Sequence, residues 1–429
     1  MKSPYSPIQL VTHLSHEELN AGHQILGRVI TFLFYLHFIF YTNYFVIAGI
    51  LSKRLKDKIV IIGLLGIVFF SIVGTTALSF LRKWNYRTFY LVHVVLGTVL
   101  LPILYFHVHH IRLYIWETFF VYLLHTILRY FNTRTYNGTI SLISSTDLIE
   151  VRIPLGSSDS AKKWPTGSHI YLSLPKDSTA PLLQKLREWV HTNPFTIASL
   201  PSTDDELLLI ARTYKGNTRK LAGLAREKAT VRLNVEGPYG AASWLPLMLN
   251  ARSGIEELDF RAFERVLIVA GGSGASFAFP VWRSHAFTHN RSQFVWAVRS
   301  MKETAWMRRF YDTKEPMNTK DIEIYITRRL LTQPTLDATD DIELEEHEGL
   351  IDKAGEVDAG GDEGVSKFNI KEGRPDLNKI VDETFAGCFG KVAVLVCGPW
   401  EMVGELRAAV GQWVARDRDV FWHAESFGL

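Results

Sequence analysis

The chain has 429 residues, enough for two or three domains, and its formal net charge is only +3. A charge this close to neutral, with no basic face interleaved with aromatic residues, argues against nucleic-acid binding. The two cysteines, Cys388 and Cys397, lack the spacing of a metal site and fit a reducing compartment.

Long apolar segments dominate the first third of the chain, and four of them are near the roughly 20 residues that cross a bilayer. These candidate spans are residues 24–50, 58–80, 88–108 and 113–131. Four spans return the chain to its starting side, but the loop charges do not decide which side this is. The starting side would hold Arg82, Lys83, Arg87, Arg129 and Arg134. The other side would hold Lys53, Arg54, Lys56 and Lys58.

Two of these helices each carry a pair of histidines fourteen residues apart, His23 with His37 and His93 with His107. Fourteen residues advance a helix by about 21 Å and leave both side chains within about 40° of one face. With the helices side by side, His23 opposes His93 and His37 opposes His107. This arrangement predicts two stacked bis-imidazole haems, whose closed axial positions favour electron transfer.

Other histidines compete less well for these roles. His109 and His110 face away from His93 by about 160° and 100°, so His107 is the better candidate. His125 has no partner at the same spacing, and we interpret it as structural. A single intramembrane histidine is about as often a satisfied bundle residue as a ligand, but two matched pairs favour ligands.

From residue 133 to 245 short alternating strands, separated by glycine, proline and polar turns, predict a small antiparallel β-barrel. At the strand end Asn193–Thr196 an aromatic ring can cover a flavin and a hydroxyl can reach its edge. Arg212, with Gly216–Thr218, offers a cation and backbone donors for a pyrophosphate. Each signal alone is weak, because such strand ends are usually only turns. The candidate flavin contacts are Pro194, Phe195, Thr196, Ile197, Ser199, Arg212 and Thr218.

From residue 260 to 429 the order of strand, glycine turn, helix and further apolar strands predicts an open parallel α/β sheet. One turn is Gly271-Gly272-Ser273-Gly274, which departs from the dinucleotide fingerprint. A second turn follows a later strand at Cys397-Gly398-Pro399, although Cys397 alone would be read as a small buried residue. Turns at the carboxyl ends of two parallel strands form a nucleotide crevice. Residues 333–370 are acidic and predict a solvated, disordered insertion.

Taken in order, the motifs resemble those of the fungal ferric reductase family, which shares its core with the superoxide-producing NADPH oxidases. The resemblance lies in LNAGHQILGR around His23, RKWNYRTFYLVH up to His93, NPFTIAS, GPYG, AGGSG, GRP at 373–375, CGP and HAESFGL. It implies a helical transmembrane bundle, residues 23–132, after an N-terminal segment, residues 1–22. An antiparallel FAD-binding barrel and an NADPH-binding parallel-sheet domain of ferredoxin-reductase type would follow in the cytosol.

The resemblance also implies an electron path from NADPH through FAD and two b-type haems to extracellular ferric or cupric chelates, in support of iron uptake. His23 and His93 would hold the inner haem, and His37 and His107 the outer one. Pro194, Phe195, Thr196 and Ser199 would hold the flavin, and Phe427 would cover it. The NADPH site would comprise Gly271, Gly272, Gly274, Cys397, Gly398 and Pro399, with Arg374 a candidate for the 2′-phosphate. The implied partners are the chelates, membrane lipid and an iron-uptake oxidase or permease system.

The chain departs from the family pattern at three places. Asn193 stands where the family usually has histidine, which puts one flavin contact in doubt. Further spans usually precede the first haem helix, so we expect an N-terminally shortened member of a plasma-membrane family. The acidic insertion has no functional account. Two other functions stay open: a superoxide-generating oxidase, and a haem-binding membrane protein with little or no turnover.

Overall fold

A computed structural model describes three successive parts of the chain: apolar helices, an antiparallel barrel and a parallel sheet. The described residues are 8, 12, 16–156, 164, 166–174, 193–200, 203–214, 217–226, 230–239, 263–286, 292–310, 321–327 and 368–425. The predicted fold class is therefore confirmed in all three parts. Phe427 and all but the last three residues of the predicted acidic insertion lie outside the described residues.

The first part consists of helices joined by short turns. They are α1 (His16–Ile47), α2 (Leu51–Arg54), α3 (Lys58–Thr76), α4 (Ser79–Trp84), α5 (Tyr86–His107) and α6 (Arg112–Asn132), with a 3₁₀ turn at His109–Ile111. Four stretches are long and apolar enough to cross a membrane, as predicted. They are Leu19–Ile47, Lys58–Thr76, Thr88–His107 and His109–Asn132. Their side chains are largely exposed in the isolated chain, which suits helices whose solvent is lipid.

Helix α3 packs against both α1 and α5, and small residues on α3 allow a close approach to each of them. A Cβ atom on Gly66 would lie 3.6 Å from Ile103 Cγ2 of α5, and one on Gly74 would lie 3.7 Å from Thr31 Cγ2 of α1. The Tyr35 hydroxyl of α1 and the Ser71 hydroxyl of α3 are 2.8 Å apart. Close packing of small residues and hydroxyl hydrogen bonds is how helices associate in lipid.

The second part is a six-stranded antiparallel sheet in the order β4-β3-β6-β1-β2-β5. A bridge between Ile197 and Leu209 joins the two edges, so the sheet nearly closes into a barrel. Alternate side chains such as Ile149, Ile153 and Leu233 fill its interior. Its strands are β1 (Thr133–Leu142), β2 (Leu148–Pro154), β3 (His169–Ser173), β4 (Asn193–Thr196), β5 (Glu206–Arg212) and β6 (Thr230–Tyr239), with α7 (Asn217–Arg226) between β5 and β6.

The third part is a six-stranded parallel sheet in the order β10-β9-β8-β7-β11-β12. Its central strands β7 and β11 are continuous apolar runs, RVLIVAG and VAVLVC, because such strands are buried on both faces. The strands are β7 (Arg265–Gly271), β8 (Ser292–Val298), β9 (Ile322–Ile326), β10 (Asn369–Glu372), β11 (Val392–Cys397) and β12 (Val420–Glu425). The helices are α8 (Ala275–Ala286), α9 (Leu377–Phe385) and α10 (Trp400–Val414), with 3₁₀ turns at Gly272–Gly274 and Met301–Phe310.

Candidate functional site

The inner histidine pair joins α1 and α5, with its two ring planes nearly perpendicular. The ring centroids of His23 and His93 are 5.8 Å apart, with the ring planes at 79°. Two imidazoles on opposite sides of one metal ion, each with a metal–nitrogen distance of roughly 2 Å, have centroids about 6 Å apart. The Nδ1 atom of His93 is buried and has no hydrogen-bond partner among the described residues. These two rings therefore fit the axial ligands of a haem.

The outer pair lies at the far end of the same helices. His107 is the last residue of α5, and its Nδ1 lies 3.0 Å from the carbonyl oxygen of Ile59 at the start of α3. This contact fixes the ring and leaves Nε2 for a metal. Gly63 lies directly against the same ring, since a Cβ atom there would come within 2.6 Å of His107 Cε1. His37, on α1, packs on Tyr41, with ring centroids 4.6 Å apart.

Three further histidines, His109, His110 and His125, lie on the last turn and the last helix of the bundle. His109 and His110 are exposed on the 3₁₀ turn, with ring centroids 4.5 Å apart. His125 lies on α6, one turn before Arg129. Neither position enters the contact between His23 and His93.

Strand β4 divides the predicted flavin residues between two faces. Phe195 and Ile197 point into the barrel interior, where they are 6% and 1% exposed. Pro194 and Thr196 point to the opposite face and pair with Tyr171 and His169 of β3. Directly opposed residues of antiparallel strands share a face. On this outer face Thr196 is as buried as Phe195, at 6% exposure, whereas Pro194 is exposed.

Three aromatic side chains on that face were missed by sequence reasoning. The ring centroids of His169, Tyr171 and Tyr239 lie 5.5 to 6.1 Å from one another. The sequence did contain both segments: HIYLS reads as a β-strand, and Tyr239 belongs to the GPYG motif. Only the pairing of β3 with β6 brings them together.

The remaining predicted flavin contacts are already bonded within the protein. The Ser199 hydroxyl accepts from the Leu208 backbone N–H at 3.0 Å, and the Thr218 hydroxyl accepts from that of Tyr214 at 2.8 Å. Both hydroxyls therefore shape turns of the barrel. The Arg212 guanidinium instead lies against the glycine turn Gly271–Gly274. A Cβ atom on Gly272 would be 3.6 Å from Arg212 Nη2.

The two glycine turns of the parallel sheet meet at the point where the strand order reverses. Strand β7 pairs with β11, so Gly271–Gly274 and Cys397–Pro399 leave the sheet side by side. A Cβ atom on Gly274 would collide with the carbonyl oxygen of Cys397, and one on Gly271 would lie 2.7 Å from Pro399 Cδ. Helix α8 begins at the first turn, so its N-terminal backbone faces this crevice.

The thiol of Cys397 is inert in this setting. Its side chain is buried, and this burial, with a smaller effect from Glu425, raises the thiol pKa well above its usual value. The neutral sulfur therefore serves as a compact wall of the crevice. The prediction that Gly271, Gly272, Ser273, Gly274, Cys397, Gly398 and Pro399 line one nucleotide site stays a prediction, and the structure brings these residues together.

Three family models match successive parts of the chain. "Ferric reductase like transmembrane component" matches residues 2–104, "FAD-binding domain" matches residues 133–243, and "Ferric reductase NAD binding domain" matches residues 263–411. The chain belongs to the ferric reductase transmembrane component family. It therefore has an FAD-binding domain and an NAD(P)H-binding domain, and the described residues before them include four helices that are long and apolar enough to cross a membrane.

The curated relatives of this chain are longer than the chain itself. A "Probable ferric reductase transmembrane component" from Candida albicans is 24% identical over 91% of this chain and 56% of its own length. A "Ferric/cupric reductase transmembrane component 1" from Candida albicans strain SC5314 is also 24% identical, over 91% of this chain and 50% of its own length. The chain thus spans about half the length of the curated relatives it matches. A solved "Ferredoxin reductase in carbazole 1,9a-dioxygenase" aligns at 15% identity with a TM-score of 0.39, over 69% of this chain and 70% of that one.

The candidate 2′-phosphate residue, Arg374, lies far from the glycine turns. It is exposed just after β10, and three strand spacings, about 14 Å, separate β10 from β7. Arg299 is nearer, because it directly follows β8, the neighbour of β7, and its side chain is 59% exposed. An arginine beyond the second strand is where such sheets accommodate a 2′-phosphate. The sequence FVWAVRS contained this signal, but only the strand order shows its position.

An ion pair links the helical part of the chain to the barrel. Arg129 of α6 donates from Nε and Nη2 to the two carboxylate oxygens of Glu236 on β6, at 2.8 and 2.6 Å. The Tyr239 hydroxyl also donates to Glu236, at 2.9 Å. A bidentate guanidinium–carboxylate pair fixes orientation as well as distance. The last span and the aromatic face of the barrel are thereby held in one geometry.

Proposed function

We propose that this protein is a transmembrane NADPH-dependent ferric/cupric reductase that supports iron uptake. Electrons would pass from NADPH to FAD, then to two b-type haems, and finally to ferric or cupric chelates across the membrane. The observation that carries this proposal is the pairing of His23 with His93, whose ring centroids are 5.8 Å apart, in helices that precede an FAD-binding domain. The proposed domains are residues 23–132, 133–245 and 260–429.

Each group of residues has a distinct part in this proposal. His23 with His93 and His37 with His107 would hold haem iron, which accepts single electrons, whereas NADPH donates a hydride and flavin converts between the two. The barrel face of Pro194, Thr196, His169 and Tyr171 would orient the flavin, next to Arg212. The crevice of Gly271–Gly274 and Cys397–Pro399 would hold the pyrophosphate of NADPH, and Arg299 its 2′-phosphate.

The direction of transfer follows from where NADPH is available. Because NADPH is cytosolic, we place the barrel and the parallel sheet in the cytosol and the His37–His107 end outside, at the plasma membrane. An iron-uptake oxidase or permease would then receive the reduced metal. The Candida albicans relative named as a ferric/cupric reductase supports this choice of acceptor over oxygen.

The decisive experiment measures NADPH oxidation by membranes with and without extracellular ferric chelate, for the parent protein and for His37→Ala and His107→Ala. We expect both variants to lose chelate reduction while they retain flavin, because only the outer haem would be missing. Unchanged reduction would contradict the outer pair. Superoxide formed in proportion to NADPH consumed, without chelate, would instead favour the oxidase. Haems that dithionite reduces but NADPH does not would indicate a haem protein without turnover.

A further inference from the structure

An excess of positive charge lies at one end of the helical bundle. The connection between α1 and α3 carries Lys53, Arg54, Lys56 and Lys58 against a single carboxylate, Asp57. Asp57 binds Arg54 at 2.9 Å. The three lysines, which we call the lysine rim, are exposed and have no carboxylate partner in the described part of the chain.

The lysine rim adjoins the outer histidine pair. Lys58 immediately precedes Ile59, whose carbonyl oxygen lies 3.0 Å from His107 Nδ1. The turn that joins α5 to α6 reaches the same end and adds Arg112, whose Nε donates to the Tyr105 carbonyl at 3.1 Å. The barrel begins at Thr133, at the opposite end of α6. The lysine rim is thus remote from the nucleotide crevice and close to His107.

The location of the rim is unusual for a membrane protein. On the proposed orientation these lysines lie outside, although basic residues are normally concentrated in cytoplasmic loops. The position of these lysines therefore needs an explanation other than membrane topology. A surface of one charge sign attracts ions of the opposite sign and speeds their association by roughly 10- to 1,000-fold, an effect that added salt removes.

We propose that the lysine rim binds an anionic, polycarboxylate-type ferric chelate beside the outer histidine pair. This inference rests on the proposed function and names its substrate class. Ammonium groups on flexible stems suit carboxylates of varied geometry, since they act as point charges with several donors. Each NADPH would reduce two chelated ferric ions to ferrous ions and release NADP⁺ and one proton.

The test uses the full chain in nanodiscs of phosphatidylcholine, a neutral lipid, with Fe(III)–EDTA as the anionic acceptor and hexaammineruthenium(III) as the cationic one. Lys53→Gln, Lys56→Gln and Lys58→Gln are combined in one variant. We expect its KM for Fe(III)–EDTA to rise roughly tenfold at low salt and the salt dependence of KM to flatten. With hexaammineruthenium the rate should rise, because repulsion is removed.

The matched control removes three charges at the opposite end of the bundle, in the variant Arg82→Gln, Lys83→Gln and Arg87→Gln. We expect this control to keep the parent KM for Fe(III)–EDTA. Equal changes for both acceptors, or no change in the lysine-rim variant, overturn the proposal. So does an effect that appears only when phosphatidylserine is added, because the lysines would then bind lipid headgroups.

Failure of the proposed function has a different signature. If NADPH reduces no haem in the parent protein, the electron path itself is wrong. If NADPH reduces the haems and only the charge preference is absent, the path stands and the lysine rim does not bind the chelate. The variant Lys58→Cys gives the sidedness, since an impermeant maleimide must label the introduced thiol from the face opposite to NADPH. Labelling from the NADPH face overturns the proposal.

Discussion

At the scale of single residues, the outer histidine depends on a glycine. The His107 ring fills the space that a side chain on Gly63 would need, since a Cβ atom there would lie 2.6 Å from Cε1. The Ile59 carbonyl holds the other edge of the ring at 3.0 Å. A histidine held on both sides in this way presents one nitrogen in a fixed direction, which is how orienting contacts tune metal ligands.

We expect Gly63→Ala to displace the His107 ring and to remove the outer haem while the inner one stays. Haem content should fall from two per chain towards one, as measured by the pyridine haemochrome of purified protein. The matched control is Gly97→Ala on α5, where a Cβ atom would have nothing within 4 Å. Equal haem loss in both variants would mean that helix stability, rather than ring placement, is responsible.

A second prediction at this scale distinguishes Arg299 from Arg374 as the residue that binds the 2′-phosphate of NADPH. Arg299→Ala should raise the KM for NADPH by roughly 10- to 100-fold while the KM for NADH changes little, because a charge-assisted bond to the 2′-phosphate contributes about 1.5–3 kcal/mol. Arg374→Ala, the control, should leave the preference for NADPH nearly intact, since Arg374 is exposed beyond β10. The reverse result would restore Arg374 as the phosphate residue. Steady-state kinetics with both nucleotides measure the difference.

At the scale of elements, periodicity was predictive where residues on one element set the geometry. A helical repeat alone places two histidines on one face of α1 and two on one face of α5, and strand–turn–helix order alone predicts the glycine turns. The aromatic face of His169, Tyr171 and Tyr239 was not predictable in the same way. It depends on the pairing of β3 with β6, elements about sixty residues apart in sequence. The choice of Arg299 over Arg374 likewise depends on strand order.

The pairing of Arg129 with Glu236 was also beyond sequence reasoning, because the two residues are 107 positions apart. Their side chains are 22% and 7% exposed, so the pair is largely removed from water. Removing one partner of such a pair leaves the other charge without compensation. The packing of α6 against the barrel therefore depends on both Arg129 and Glu236.

We expect Glu236→Gln to lower the free energy of unfolding by roughly 3 kcal/mol and to slow haem reduction after the flavin is reduced. Thermal unfolding in detergent and rapid mixing with NADPH measure the two effects. Glu383→Gln makes the same chemical change in an exposed pair with Lys379, and it should cost at most about 1 kcal/mol. A Glu236→Gln protein with parent stability and parent haem reduction would show that the packing of α6 against the barrel does not depend on the pair.

At the scale of the whole molecule, two reciprocal ion pairs hold the barrel against the parallel sheet. Arg212 of the barrel binds Glu303 of the sheet domain at 2.8 Å, and Arg283 of the sheet domain binds Asp204 of the barrel at 2.7 Å. All four side chains are at most 11% exposed. Hydride transfer requires the nicotinamide and the flavin to meet within about 3.5 Å. The distance between the two domains is therefore part of the reaction geometry.

Asp204→Asn tests this coupling without altering a predicted cofactor residue. Asparagine keeps an oxygen that can accept from the Leu200 backbone N–H, now bound at 2.7 Å, but it loses the charge that Arg283 needs. We expect flavin reduction by NADPH to slow by roughly 10- to 100-fold, with FAD content retained, because a small misplacement of the reacting groups has effects of this size. Asp419→Asn, at an exposed pair within the sheet domain, is the control and should react at the parent rate. Parent-rate flavin reduction in Asp204→Asn would mean that the remaining contacts, including Arg212 with Glu303, suffice to align the domains.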